Sequence, residues 1–352
     1  MMRDILSMNL AELEGLMGEL GQSKFRAGQI FGWLHQKMVD SFDEMSNLSK
    51  ALRAELEASC FIASAKVVKR LESKTDGTVK SLLELHDGAA IESVLMKYSH
   101  GNSVCVSTQA GCRMGCTFCA SGEDFARNLT AGEICAQVYA NSGNAVLQNE
   151  TSGSAEQGRV GGVVLMGCGE PLDNFDAVLR FIELVSHPNG LNIGQRHMTL
   201  STCGLVPQML KLAEMKLQIT LAVSLHATSD GVRREFMPIA KKYALGDLLD
   251  ACRFYVKKTN RRVTFEYALV RGVNDSAAQA KELVKLLRGM NCHVNLIPVN
   301  KARGDFAPTS RKDVQDFAKI LQDGRIQTTV RRSLGGDVDG ACGQLRAKGM
   351  KS

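Results

Sequence analysis

Three cysteines fall close together in the segment GCRMGCTFCASG, as Cys112, Cys116 and Cys119, with the spacing C-x3-C-x2-C. Glycines at 111, 115 and 122 let such a loop turn tightly around a bound group. Thiolates are soft ligands, suited to zinc or to iron–sulfur clusters. Structural zinc closes its shell with four ligands, and no histidine stands near enough in sequence to be the fourth. A cubane [4Fe–4S] cluster held by three thiolates instead leaves one iron open to a small molecule. Structural cysteines packed in the interior are the plain alternative, and zinc a further one.

The chain has 352 residues, 11 cysteines and a net charge of +6. Cys60, Cys135, Cys252 and Cys292 lie in apolar stretches and read as small buried hydrophobes. The odd cysteine count and the opening MMRDILSMNLAELEG, acidic at once and without an apolar signal core, argue against an exported disulfide framework. No run approaches the ~18 apolar residues of a membrane span. A cytoplasmic protein with no membrane partner is expected. Basic residues cluster at Lys66, Lys69, Arg70, Lys74 and Lys80, at Lys257, Lys258, Arg261 and Arg262, and at Arg331, Arg332, Arg346, Lys348 and Lys351. These read equally as nucleic-acid contacts or as solvated helix ends.

Elements able to position the cysteines follow from periodicity. The first ~60 residues read as helices: Asn9 with Glu12 makes a capping box, FRAGQIFGWLHQ a second helix, and Leu48, Leu52 and Leu56 one face of a third. From Lys66 the period becomes that of strands, with Asp76-Gly77 and Asp87-Gly88 as hairpin turns of a small antiparallel meander. It leads into a strand at 104–109. Strands at 163–167, 197–202, 219–226, 263–270, 293–299 and 327–332 then alternate with helical patterns at 175–186, 206–216, 245–258, 276–289 and 310–322. The Gly/Ser-rich stretch 141–162 reads as a surface loop. Repeated β-α units predict an α/β fold with a parallel sheet or barrel, whose strand ends carry the site. Those ends are polar: Gly167, Gly169 and Glu170, then Ser201 and Thr202, Ser224 and His226, Asn274, and Asn300. Five in chain order suggest one ligand ringed by strand ends.

C-x3-C-x2-C after the first barrel strand resembles the radical S-adenosylmethionine enzymes. FRAGQIFGWLHQK, CVSTQAGCRMGCTFCASG, NLTAGEI, VVLMGCGEPLDN, LSTCGLVP, SLHATSD, NLIPVN and GDVDGACGQL are together similar to one branch of them, the RlmN/Cfr family of RNA adenine methyltransferases. Pro171 in Gly169-Glu170-Pro171-Leu172 sides with the carbon-2 members, where the carbon-8 (Cfr) members have alanine. The resemblance implies a partial (β/α)6-type radical SAM barrel. Its parts would be a helical RNA-binding domain over residues 1–62, a β-meander over 63–97, the core over 98–331 and a tail over 332–352. It implies 2-methyladenosine formation at adenosine-2503 of 23S ribosomal RNA and adenosine-37 of transfer RNA, with carbon-8 methylation as the alternative. It further implies one [4Fe–4S] cluster, two S-adenosylmethionine molecules per turnover, an electron donor such as flavodoxin or ferredoxin, and a monomer.

Residue roles follow from the same resemblance. Cys112, Cys116 and Cys119 would hold the cluster, and Gly169, Glu170, Ser201, Ser224, Leu225, His226 and Asn300 would contact S-adenosylmethionine. Carbon 2 of adenine is unactivated, so the methyl group needs a carrier thiol, matched by Cys342 in GGDVDGACGQL. Cys105 matches the second thiol, which releases the product through a transient disulfide compatible with the cytosol. Glu92 matches the proton acceptor; on chemistry alone a glutamate on a strand is more often at the surface. His226 alone reads equally as a core histidine. Cys168 stands where the family has methionine, and neither it nor Cys203 has an expected role. A non-catalytic iron–sulfur RNA-binding or redox-sensing protein is the competing class, and it has no need of a thiol in a glycine-rich tail.

Overall fold

The computed structural model describes residues 2–99, 101–121, 125–149 (side chains to 142), 159–298, 307–332, 334–338 and 340. Asn300 and Cys342 lie outside them. The chain starts with strand β1 (Arg3–Asp4), helices α1 (Leu10–Glu19), α2 (Phe25–His35) and α3 (Lys50–Ser59), and strand β2 (Cys60–Phe61). The expected capping box closes the start of α1: Asn9 accepts from Glu12 N–H, while the Glu12 carboxylate accepts from Asn9 N–H. β1 pairs in parallel with β2, a short contact without sequence signal.

The meander is β3 (Ala65–Glu72), β4 (Val79–Leu85) and β5 (Ala90–Tyr98), all antiparallel. Gly77 and Gly88 take the left-handed conformation at its turns. β5 pairs with β6 (Gly101–Cys105), the first barrel strand. Two short strands, β7 (Gln109–Ala110) and β8 (Arg127–Asn128), pair around the cysteine loop and lead into α4 (Ala131–Asn149).

Alternation then runs β9 (Val160–Leu165), α5 (Phe175–Ser186), β10 (Met198–Thr202), α6 (Val206–Glu214) and β11 (Thr220–Ser224). It continues with α7 (Asp230–Phe236), α8 (Leu245–Thr259), β12 (Val263–Leu269), α9 (Ala277–Leu287), β13 (Cys292–Pro298), α10 (Arg311–Asp323) and β14 (Gln327–Val330). One ten-stranded sheet holds them in the order β14-β13-β12-β11-β10-β9-β6-β5-β4-β3. β6 and β9 to β14 are parallel, and β3 and β14 are its two edges. This is the expected partial barrel, with the meander continuing the sheet. Helices cover one face, so β12 is buried along its whole length.

Two expectations are corrected. α4 runs to Asn149 and β9 begins at Val160, so most of the described part of 141–162 is regular structure, not loop. Asn141 Nδ2 donates to Gln137 O (2.7 Å) and to Ser93 Oγ on β5 (2.8 Å), and Ser142 Oγ donates to Val138 O (2.8 Å). Polar residues that bond back to their own helix sit within it instead of ending it. Lys80 is not a solvated member of its basic cluster but is buried beside Glu92 (Nζ to Oε1, 3.0 Å). Glu92 is itself buried on β5, not at the surface.

The N-terminal helices share one core with the barrel, from Ile5 to Ile326. At their contact with α4, the buried His35 ring bonds through Nδ1 to Tyr139 Oη at 2.7 Å. Burial, and secondarily His187, pushes His35 down to about 3. The folded protein therefore resists a proton that the unfolded chain takes up near pH 6.5. This contribution is complete above about pH 6.5 and is lost as pH falls toward about 3. Between about pH 7.5 and 5, the thermal midpoint of the wild type is expected to fall faster than that of His35→Phe. Parallel curves would exclude the effect.

Among the described residues no helix is long and apolar enough to cross a membrane.

Candidate active site

The cysteine loop leaves β7 at Gly111 and turns through Gly111 and Gly115, both with positive φ. Thr117, next to Cys116, donates its N–H to Phe236 O at 3.0 Å, so the end of α7 holds the loop. Cys112, Cys116 and Cys119 are all half-buried and line one cleft at the carboxyl ends of the barrel strands. Burial pushes the Cys112 thiol up to about 12, with Cys119 and Cys168 adding to it. Burial, Cys119 and Cys112 push Cys116 up as well.

The three thiols line the same cleft, and a metal centre there would take the place of their protons. Three soft donors on one turn fit a [4Fe–4S] cluster with one open iron. The three thiols share the cleft but do not all come within 4.8 Å of one another; among the described residues His86, Asp87 and Glu133 are the group whose ligand atoms do. There Arg127 already bonds both carboxylates.

The loop after β9 lies hard against the start of the cysteine loop. A Cβ on Gly167 would meet Val106 C and O at 2.7 Å. Gly169, at φ +107, would meet Gln109 Cβ at 2.7 Å, so only glycine fits there. Glu170 N–H donates to Gln109 Oε1 at 2.9 Å. The buried Glu170 carboxylate accepts from Leu172 N–H (3.0 Å) and from Cys203 N–H (2.7 Å), tying the ends of β9 and β10 together. Burial raises this carboxyl and these hydrogen bonds pull it back.

Ser201 on β10 and Ser224 on β11 face the cleft. His226 follows at φ +57, buried against the Phe118 edge at 4.9 Å. Its Nδ1 accepts from Ala268 N–H at 2.9 Å, which leaves Nε2 carrying the proton. Burial, and then Arg233, pushes His226 down to about 3, so it is a neutral donor at physiological pH. The Leu225 side chain packs in the core, and Leu225 is not among the residues that line the cleft.

Cys105 is buried one layer behind the cleft, in a pocket with Val94 and Met96, against which Val164, Met166 and Leu334 pack. Glu92 lies two residues before Val94, the register partner of Cys105. Ser107 Oγ donates to Glu92 O (2.7 Å) and accepts from Cys168 N–H (2.9 Å), linking the meander to the cleft loop. Cys168 is pushed up to about 11 by burial, with Cys119 and Glu92 contributing. Cys203 lines the cleft beside Glu170.

Two polar residues at the site, Glu266 and Arg233, escaped sequence reasoning. Glu266 on β12 faces the cleft, accepting from Asn295 Nδ2 (2.9 Å) with Arg331 Nη1 at 3.7 Å. A charge inside the apolar strand VTFEYAL was a usable signal. Arg233 is fully buried behind the cleft wall, and nothing in its helix separates it from the exposed Arg234.

The comparisons agree with this architecture. Residues 3–62 match the ribosomal RNA large subunit methyltransferase N-terminal domain, and residues 106–287 match the radical SAM superfamily. A probable dual-specificity RNA methyltransferase RlmN of Clostridium novyi (strain NT) is 53% identical, over 98% of each chain. Its namesake in Clostridium perfringens (strain 13 / Type A) is 52% identical, over 100% of this chain and 99% of the other. The crystal structure of a radical SAM methyltransferase from Sphaerobacter thermophilus superposes with a TM-score of 0.91 at 43% identity, covering 98% of this chain and 100% of that one. The chain belongs to the RlmN family of radical SAM methyltransferases, which work with a [4Fe–4S] cluster and S-adenosylmethionine.

Proposed function

We propose that the protein methylates carbon 2 of adenine in RNA, at adenosine-2503 of 23S ribosomal RNA and adenosine-37 of transfer RNA. The observation that carries this reading is the placement of three thiols on one glycine-turned loop that lines the cleft at the strand ends. Cys112, Cys116 and Cys119 would hold the cluster. When bound, it supplies the electron that cleaves S-adenosylmethionine, the electron coming from a donor of the flavodoxin or ferredoxin type. Gly169 lets the loop pack hard against Gln109 at the edge of the cleft, where it would contact the cofactor's methionine end. Glu170 fixes that loop against β10, and Ser201, Ser224 and the Nε2 proton of His226 face the ligand from successive strands. Asn300 completes this set.

Cys342 carries the methyl group, Glu92 takes the adenine proton, and Cys105 forms a disulfide with Cys342 to free the product. The burial of Glu92 beside Lys80 supports its role, since a paired buried carboxylate is held in one orientation. Residues 1–62 and 63–97 form the RNA-facing parts, 98–331 the core and 332–352 the carrier tail. The exposed Lys66, Lys69, Arg70 and Lys74 on and beside the edge strand β3 suit phosphate contacts that weaken with salt. Work on cytoplasmic RNA as a monomer is consistent with this reading.

The test is anaerobic reconstitution with iron and sulfide, followed by reaction with S-adenosylmethionine, a reductant and unmodified RNA. Digestion and mass spectrometry are expected to find 2-methyladenosine. An exclusive 8-methyladenosine product would overturn the regiochemistry, and no methylated adenosine would overturn the function.

A further inference from the structure

Arg233 is the only fully buried arginine among the described residues. Its Nη2 donates to Cys203 O at 2.8 Å and Ser224 O at 3.3 Å, the backbone of two cleft-lining residues. Its Nε and Nη1 are buried with no hydrogen-bond partner, and no carboxylate among the described residues forms an ion pair with it. A guanidinium keeps its proton in proteins, so the interior here holds a cation with no ion-pair partner among the described residues, Asp230 acting on it only from a distance.

The fold makes room for that cation. Gly204, at φ +104, would place a Cβ 3.3 Å from Arg233 Nη2 and 2.7 Å from Leu248 Cδ1. The helix that carries Arg233 is the same one that holds the cysteine loop. Its terminal carbonyls, Phe236 O and Glu235 O, accept from the Thr117 N–H and hydroxyl, one residue past Cys116. Phe118 also packs on Phe236 at 6.1 Å. Cys203 and Ser224, whose carbonyls Arg233 bonds, line the same cleft as Cys112, Cys116 and Cys119.

Three thiolates around a [4Fe–4S] core leave a net negative centre, and one-electron reduction makes it more negative. We propose that Arg233 is the buried counter-cation of the cluster held by Cys112, Cys116 and Cys119, and that its charge raises the cluster's reduction potential. This rests on the assignment of those three cysteines. A fixed positive charge favours the reduced form over the oxidised one, and one electron enters with no proton. Arg233 thereby eases electron uptake from a low-potential one-electron donor. It is a positioning and tuning residue, and it does not contact substrate.

The test compares the wild type with Arg233→Lys, Arg233→Gln and Arg233→Met, all reconstituted anaerobically and titrated with reductant under EPR detection. The midpoint potential of the Gln and Met variants is expected to move to more negative values, while Lys stays near the wild type. An unchanged midpoint in Arg233→Gln at full iron content would overturn the proposal, leaving Arg233 a structural tie between strand ends. If the Gln and Met variants hold no cluster, the cluster-free proteins decide by thermal midpoint. Arg233→Gln melting at or above the wild type marks a cation that lacked compensation, as proposed. Melting well below it marks a structural tie and overturns the proposal. Failure of the wild type itself to take up iron and sulfide is a separate result. It removes the cysteine assignment, and the role of Arg233 with it.

Discussion

Cys116→Ala is expected to lose iron and sulfide uptake and to reduce methyl transfer to background, on the order of 10³-fold or more, while the chain stays folded. Cys116 sits on a loop whose shape is set by Gly111, Gly115 and the Thr117 bond to α7, none of which needs its sulfur. Removing one of three thiolates leaves a cluster two protein ligands, too few to hold it while leaving one iron open. The matching control is Cys135→Ala or Cys252→Ala, at fully buried core positions. Those variants are expected to keep the cluster and lose roughly 1–3 kcal/mol of stability to the cavity. Iron analysis and thermal melting separate the two classes of cysteine. A Cys116→Ala protein with full iron content would refute the assignment of the loop.

The contrast between these cysteines also shows what sequence reading can reach. That Cys112, Cys116 and Cys119 share one tightly turned loop was legible, because such a loop is written in local spacing and in the glycines around it. The strands were legible because buried parallel strands are continuous apolar runs, as in VTFEYAL. The end of α4 was misread because Asn141 and Ser142 find their partners partly on β5, a contact that no local rule contains. Lys80 was misread for the same reason: its partner Glu92 lies across a strand pair. Glu170 was legible as a site residue, but not that its carboxylate ties the ends of β9 and β10 through Cys203 N–H. Arg233 was beyond reach, since its burial depends on the meeting of α7, β10 and β11.

The second large effect concerns the two thiols outside the cluster. Past β14 the chain turns back across the sheet: Leu334 packs on the pocket of Cys105, and Gly335 N–H donates to Asp76 Oδ2 at 2.9 Å. Asp337 Oδ2 accepts from Lys74 N–H at 3.0 Å, and Gly340 N–H returns to Gly335 O at 2.9 Å. The tail is thus anchored on the β3–β4 turn beside Cys105. Cys342 follows Gly340 by two residues in the sequence and lies outside the described residues.

Cys342→Ala is therefore expected to keep its iron and its reduction potential and yet lose methylation by on the order of 10³-fold or more, because no thiol is left to carry the methyl group. Cys105→Ala is expected to differ in kind. The methyl group reaches the RNA, but no second thiol displaces Cys342, so protein bound covalently to RNA accumulates and migrates as a shifted band on a denaturing gel. Treating that band with ribonuclease should return it to the position of the free protein. Full activity in Cys342→Ala would remove the carrier role, and normal product without any adduct in Cys105→Ala would remove the releasing one. The two outcomes are independent, because the carrier acts before the crosslink exists and the releasing thiol only after it.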